Sequence, residues 1–265
     1  MNRARRLRGV IGVALLAACF APPSASAETV TIGSPLTNNW TIDYACGSGC
    51  MMLQHAAGAG APLPQASPVN GVINAWAVRS NLIGSVFSLR VLRPAGGLTF
   101  GVTGSSSALT ATSAAGDAVT RYPASHLPIR QGDQVALSNA EGGGAIPIHL
   151  QPASGFTVAF GSTGGPPDGA TETFTDNGTG NDRELLFQAT ISFCRIPDVL
   201  GRKVADAQRL IATAGCTATT KTRKLKKTRR NKKKKGTVLA QSLAGGASAA
   251  PGTAVELTVA AVKKK

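Results

Sequence analysis

The sequence predicts a mainly β protein of two domains, an N-terminal antiparallel β-sandwich of jelly-roll-like character followed by a small α+β domain. Three observations carry this expectation. Apolar residues between positions 28 and 193 fall in short runs, rich in β-branched or aromatic side chains and bounded by Gly, Pro, Ser or Asn, which is the signature of strands and turns. No stretch there keeps a 3.6-residue period, whereas Val204, Ala207, Leu210 and Ile211 do. Charge is also unevenly divided. Residues 28–193 carry 6 basic and 10 acidic side chains, and residues 194–265 carry 18 basic and 3 acidic ones. A mildly acidic body and a strongly basic tail imply two modules with different surfaces.

Composition narrows the class further. With 265 residues, one or two domains are expected. Charged residues are 15% of the chain, and it holds 31 Gly and 15 Pro, which disfavours helical bundles and coiled coils. An apolar share of 43% is enough for a core, so a wholly disordered chain is disfavoured too.

Residues 1–27 read as an export signal. Arg3, Arg5, Arg6 and Arg8 precede an apolar stretch from Val10 to Ala21, and Ala25-Ser26-Ala27 is a small-residue cleavage site before Glu28. The alternative is a lipoprotein: Leu16-Ala17-Ala18-Cys19 resembles a bacterial lipobox, with Cys19 as the lipidated residue. No later run of 18 apolar residues exists, so no transmembrane helix is expected after signal removal. Export is an oxidising context, and Cys46, Cys50, Cys194 and Cys216 remain after cleavage. Four cysteines allow three pairings. Cys46–Cys50 with Cys194–Cys216 keeps each bridge within one module and is the pairing expected here.

In the first module, strands are expected at the run from Val72 to Val78 after Asn70-Gly71, and at Val86 to Leu92, ended by Pro94-Ala95-Gly96-Gly97. Others are expected at Leu98–Val102, Gln134–Leu137, Ile146–Leu150, Phe156–Phe160 and Leu185–Phe193. Leu127 to Leu137 reads as strand, Gly132-Asp133 turn, strand, and resembles hairpins in jelly-roll domains of secreted bacterial proteins. His55, His126 and His149 lie in no nucleophile or metal motif, and no G-x-S-x-G is present in the first module. No catalysis and no cofactor are expected. The oxygen-rich stretch around Asp176, Asp182 and Glu184 is a weak calcium candidate that does not match the D-x-[DN]-x-[DN]-G loop.

The second module begins with Pro197-Asp198-Val199. It continues through the amphipathic helix that Gly215 ends, then extended segments at Thr217–Thr220, Thr237–Gln241 and Val255–Val259. This order, with Gly201, Ala205, Ala207, Leu210, Gly215, Gly236-Thr237-Val238, Gln241-Ser242, Pro251-Gly252-Thr253 and Leu257-Thr258-Val259, resembles the PASTA domain of penicillin-binding proteins and serine/threonine kinases. The resemblance covers residues 196–260. It implies a helix packed on a small antiparallel sheet and a module that binds peptidoglycan or another anionic wall polymer. Leu243 stands where the family usually has Pro after Gln-Ser, and the loop between two sheet elements is enlarged. No S-x-x-K, H-R-D, D-F-G or G-x-x-x-x-G-K accompanies the module, so the family's host enzymes are absent.

The enlargement is a basic run. Between Lys221 and Lys235, 11 of 15 residues are cations: Lys221, Arg223, Lys224, Lys226, Lys227, Arg229, Arg230, Lys232, Lys233, Lys234 and Lys235. An exposed loop that attracts a polyanion is expected, against the alternative of a merely solvated loop. Nucleic acid is disfavoured because no aromatic side chain accompanies the charge. The chain therefore reads as a secreted or surface-attached envelope protein without catalysis. The rival is a secreted hydrolase or carbohydrate-binding lectin with its site in the sandwich.

Overall fold

The computed structural model describes residues 27–45, 49–56, 61–81, 84–112, 117–123, 126–140, 145–150, 155–161, 165–176 and 182–262. The expected leader up to residue 26, including Cys19, lies outside the described residues, as do Cys46 and 263–265.

Two sheets face one another in the first module. One runs β1 (Glu28–Gly33), β16 (Phe187–Arg195), β4 (Gly71–Ser80), β8 (Ala118–Tyr122), with β9 (Leu127–Ile129) also on β4. The other runs β13 (Thr171–Thr173), β6 (Thr99–Ser105), β5 (Val86–Gly96), β10 (Gln134–Asn139), β3 (Met51–Ala56), β12 (Thr157–Phe160), β14 (Thr175–Asp176), with β7 (Leu109–Thr110) beside β5. A third, small sheet joins β15 (Arg183–Leu185), β11 (Ala145–Leu150) and β2 (Ile42–Ala45). Every pairing in these three sheets is antiparallel.

The main core lies between the first two sheets. Ile73, Trp76 and Phe187 come from one, and Phe87, Leu89 and Leu137 from the other. Trp76 stacks on Tyr122 with ring centroids 3.9 Å apart and meets the edge of Phe187. The second sheet is buried on its other face as well, where Met51, Leu53, Phe100, Ala136 and Phe174 form a separate cluster. A strand buried on both faces has no apolar–polar alternation. That is why β3, read off as Met-Met-Leu-Gln-His-Ala, carries no strand signal in the sequence.

Several expected boundaries move. β5 does not stop at Pro94 but continues to Gly96 through two register shifts against β6. The run expected at Leu185–Phe193 is two strands, interrupted at Leu186, whose N–H donates to Pro147 and whose carbonyl accepts from Arg79 N. The Gly132-Asp133 turn is not a hairpin: β9 belongs to the first sheet and β10 to the second, so the turn carries the chain across the sandwich. Gly132 sits at φ 89°. Asp133 is 2% exposed; its Oδ2 accepts from Arg130 N, and both oxygens accept from the Arg93 guanidinium at 2.9–3.0 Å.

The second module has its own core of Ile196, Val199, Ala207, Ile211, Val238 and Leu257 with neighbours. Helix α1 (Val204–Thr213) buries Ala207 and Ile211, and Gly215 ends it at φ 82°, its N–H on Ala212 O. A disulfide joins Cys194 to Cys216, with the Cα atoms 5.7 Å apart. Cys50 is also disulfide-bonded, and Cys46, its expected partner, lies outside the described residues. The sheet is β17 (Thr217–Leu225), β20 (Ala254–Val262), β18 (Val238–Gln241). It is mixed rather than antiparallel: β20 enters between the other two, parallel to β17 and antiparallel to β18.

β16 runs without a break from one module into the other. Its last residues, Cys194 and Arg195, pair with β19 (Ser248–Ala249) of the second module. Asn70, on the turn before β4, fastens the same place: its N–H donates to Ser248 Oγ, and its amide nitrogen donates to Ser248 O.

Candidate functional site

The expected basic loop is not a loop. Residues from Lys221 to Leu225 extend β17 along β20, register Lys221↔Thr258 to Leu225↔Val262. After 226–228 the chain forms a short helix, α2 (Arg229–Lys233). Pairing with β20 supplies a backbone ladder that lysine's weak β-propensity does not announce. Thr228 Oγ1 accepts from Asn231 N at 3.0 Å and caps the helix, and the Asn231 amide donates to Lys226 O. At the far end Thr237 Oγ1 donates to Lys234 O and Lys203 Nζ donates to Lys235 O.

This frame displays the cations instead of dispersing them. Successive strand side chains alternate between faces, so Lys221 and Arg223 share one face of β17 and Lys224 takes the other. All are exposed, as are the cations of α2. Lys221 pairs with Glu256; among the described residues none of the other ten cations of the run has an acidic partner. β17 is also an edge strand, and lysines along an edge oppose pairing with another chain.

Beside α2 lies a trough. A depression of about 530 Å³ is lined by Leu200, Arg230, Lys233, Lys234, Val238 and Leu239, among others. A second, of about 380 Å³, shares Leu200 and Leu239 and continues toward Asp198 and Gly245. Leu200 is 55% exposed. The turn that presents it is tightly bonded: Leu200 N donates to Asp198 Oδ1, Gly201 N to Val238 O, and Val199 N to Gln241 Oε1. The Gln241 amide nitrogen donates in turn to Pro197 O and Leu243 O. Gly245 packs against this turn so closely that a Cβ there would lie 2.8 Å from Asp198 Cβ. Nothing in the sequence singled out Leu200 or Leu239, because a lone leucine in a turn carries no periodic signal.

The calcium candidates do not assemble. Asp176 lies 3.5 Å from His55 Nε2, Asp182 accepts from Gly155 N, and buried Glu184 accepts from the Asn38 amide at 2.6 Å. Each carboxylate is turned to a separate partner, and among the described residues no three acidic, His or Cys side chains gather as a metal site.

Among the described residues of the sandwich, a hydroxyl and an imidazole meet at Thr41 and His149. Thr41 Oγ1 and the Asn39 carbonyl both lie on His149 Nδ1, at 2.9 and 2.6 Å. A carbonyl only accepts, so Nδ1 carries the proton and cannot take one from Thr41. Neighbouring Asp117 gives both oxygens to Arg79. That hydrogen bond, above all, holds the Asp117 carboxyl below its ordinary range.

Residues 195–261 match the PASTA domain family. The C-terminal module is a PASTA domain. PASTA domains bind peptidoglycan-related ligands, which associates the chain with the cell envelope. No curated protein and no solved structure matches the chain. Among the described residues, no helix is long and apolar enough to cross a membrane.

Proposed function

We propose that the protein is an exported, non-catalytic envelope protein whose PASTA domain holds peptidoglycan or another anionic wall polymer through the cations of β17 and α2. The observation that supports this is a dense set of exposed cations, ten of eleven without an acidic partner among the described residues, on a PASTA frame. Attraction of this kind depends on charge density more than on exact fit, and it is screened over roughly 8–10 Å in physiological salt. A nucleic-acid reading lacks the aromatic side chains on which bases stack.

The test is sedimentation of the protein with purified wall sacculi across a salt series, alongside a variant with Lys232→Ser, Lys233→Ser, Lys234→Ser and Lys235→Ser. The variant is expected to lose most low-salt binding and to show a shallower salt dependence. Binding and slope equal to wild type would sink the reading. Export with cleavage before Glu28 is checked by intact mass of the secreted protein; a diacylglycerol adduct on Cys19 would replace it with surface anchoring.

A further inference from the structure

We propose that residues 222–233 are two copies of one binding unit, each taking a stretch of a flexible phosphodiester polymer through four cations. The inference deepens the wall-binding reading and rests on it for where such a polymer is met.

The basic run contains a tandem repeat. Thr222-Arg223-Lys224-Leu225-Lys226-Lys227 is followed without a gap by Thr228-Arg229-Arg230-Asn231-Lys232-Lys233. Four of the six positions are identical and a fifth exchanges Lys for Arg, so each copy carries four cations at the same places. The two copies do not share a backbone. The first occupies the end of β17 and the two residues after it, whereas in the second Thr228 caps α2 and the rest is the helix itself. They bury alike all the same: the fourth residue, Leu225 or Asn231, is half-buried, and the other five positions are exposed in each copy. Leu225 lies opposite Val262 on β20, and the Asn231 amide donates to Lys226 O. A hexad repeated for the sake of secondary structure would repeat the structure. Here one inward anchor and an outward set of cations repeat, so side-chain charge is what the copies have in common.

That charge is unspent. None of the eight cations makes an ion pair or a side-chain hydrogen bond among the described residues. In α2, Arg229 and Lys233 stand one turn apart with no acid in the first turn, an arrangement of like charges that repel. An anionic chain laid over them relieves that repulsion.

Geometry narrows the partner. Alternation puts Arg223 and Lys224 on opposite sides of β17, and the helix spreads its four cations about its axis. A plane of lipid head groups would meet one side only. A polymer whose carboxylates are spaced by neutral sugar and peptide would leave most of the eight cations unmet. A flexible chain with a phosphate in every repeat bends around both copies and matches their density. Both cation types suit it, the guanidinium as a fork and the ammonium as a point charge.

The experiment measures binding of the full-length secreted protein to poly(glycerol phosphate) across a salt series. On a flexible single strand each phosphate contact adds about 0.7 to the slope of log affinity against log salt. Neutralising the first copy (Arg223→Gln, Lys224→Gln, Lys226→Gln, Lys227→Gln) is expected to lower that slope by about 3. Neutralising the second (Arg229→Gln, Arg230→Gln, Lys232→Gln, Lys233→Gln) is expected to lower it by the same amount, in spite of the different backbone. A change confined to one copy, or none from either, would overturn the proposal. Should a fourfold variant melt early, the pairs Lys226→Gln with Lys227→Gln and Lys232→Gln with Lys233→Gln make the same comparison, at about 1.4 each. Tighter binding of polygalacturonate, oligothymidylate or phosphatidylglycerol vesicles than of poly(glycerol phosphate) would overturn the choice of polymer. Sacculi stripped of phosphate polymer by hydrofluoric acid are expected to lose most binding. Undiminished binding to stripped sacculi would defeat this inference alone and leave the wall reading standing. Binding of the soluble polymer without binding to either kind of sacculus would defeat the wall reading and leave the two units standing.

Discussion

In the sandwich, Arg79 and Arg93 each meet a carboxylate through two hydrogen bonds, whereas ten of the eleven cations between Lys221 and Lys235 in the PASTA domain meet none among the described residues. The sandwich arginines serve folding. Arg93 neutralises a carboxylate buried at the corner where the chain crosses between sheets, and Arg79 ties β4 to Asp117. Those ten PASTA cations join no ion pair among the described residues, and their exposure spares them the cost of burial. Like side-chain types thus stand for architecture in one module and for an available surface in the other.

The difference is open to direct attack, beginning where the effect is largest. Arg93→Ala leaves Asp133 buried with only a backbone partner, and a loss of about 3 kcal/mol is expected in urea denaturation. A loss under about 1 kcal/mol would show that the pair is dispensable. Replacing Cys194 and Cys216 by Ser opens a loop of 22 residues and is expected to destabilise the PASTA domain by about 3 kcal/mol. Hydrogen exchange should place that loss in β17, β18 and β20 and spare the Trp76 core; equal loss in both would mean one cooperative unit.

Asp117 gives a smaller, pH-dependent effect. Its folded carboxyl is held low, first by Arg79, so it contributes stability above its unfolded value of about 3.9, and that contribution is lost as pH falls through the folded value. Asp117→Asn should therefore lower stability at neutral pH and flatten the acid limb below about pH 4. An acid limb identical to wild type would remove Asp117 from the account. Least of all, the fourfold Lys232–Lys235 to Ser variant should stay within about 0.5 kcal/mol of wild type. A larger drop would give α2 a folding role and erase the contrast between the modules.

Sequence legibility followed the same divide between pattern and context. Helix α1 was readable because Val204, Ala207, Leu210 and Ile211 share one face and Gly215 supplies the stop. β4 and β5 were readable from their apolar runs, though β5 outran its Pro94 signal because the register shifts there absorb the irregularity. β3 was not readable, since burial on both faces removes alternation. The strand character of Lys221–Leu225 was hidden for another reason: its side chains favour solvent, and only the ladder to β20, distant in sequence, makes it a strand. The PASTA glycines and Gln241 were legible as landmarks, and their work became clear in three dimensions, where Gln241 alone pins Pro197, Val199 and Leu243. The trough depends on Leu200 meeting α2 across the sheet edge, a juxtaposition no local pattern encodes.

The continuous course of β16 has a mechanical meaning. Glu28, where β1 begins, lies opposite Phe193, just before the chain enters the PASTA domain. A tether at the start of β1 and a load on the PASTA domain would pull at the same end of two antiparallel neighbours. Tension would then open the ladder like a zipper, one pair after another over the six matched positions, instead of shearing them together. The exposed Arg195–Glu28 contact, 3.5 Å long, stands at the end that parts first. Force spectroscopy with handles at Glu28 and in the PASTA domain should record β1 peeling away at low force before the sandwich yields, and a single high-force rupture would show that the strands resist as a block.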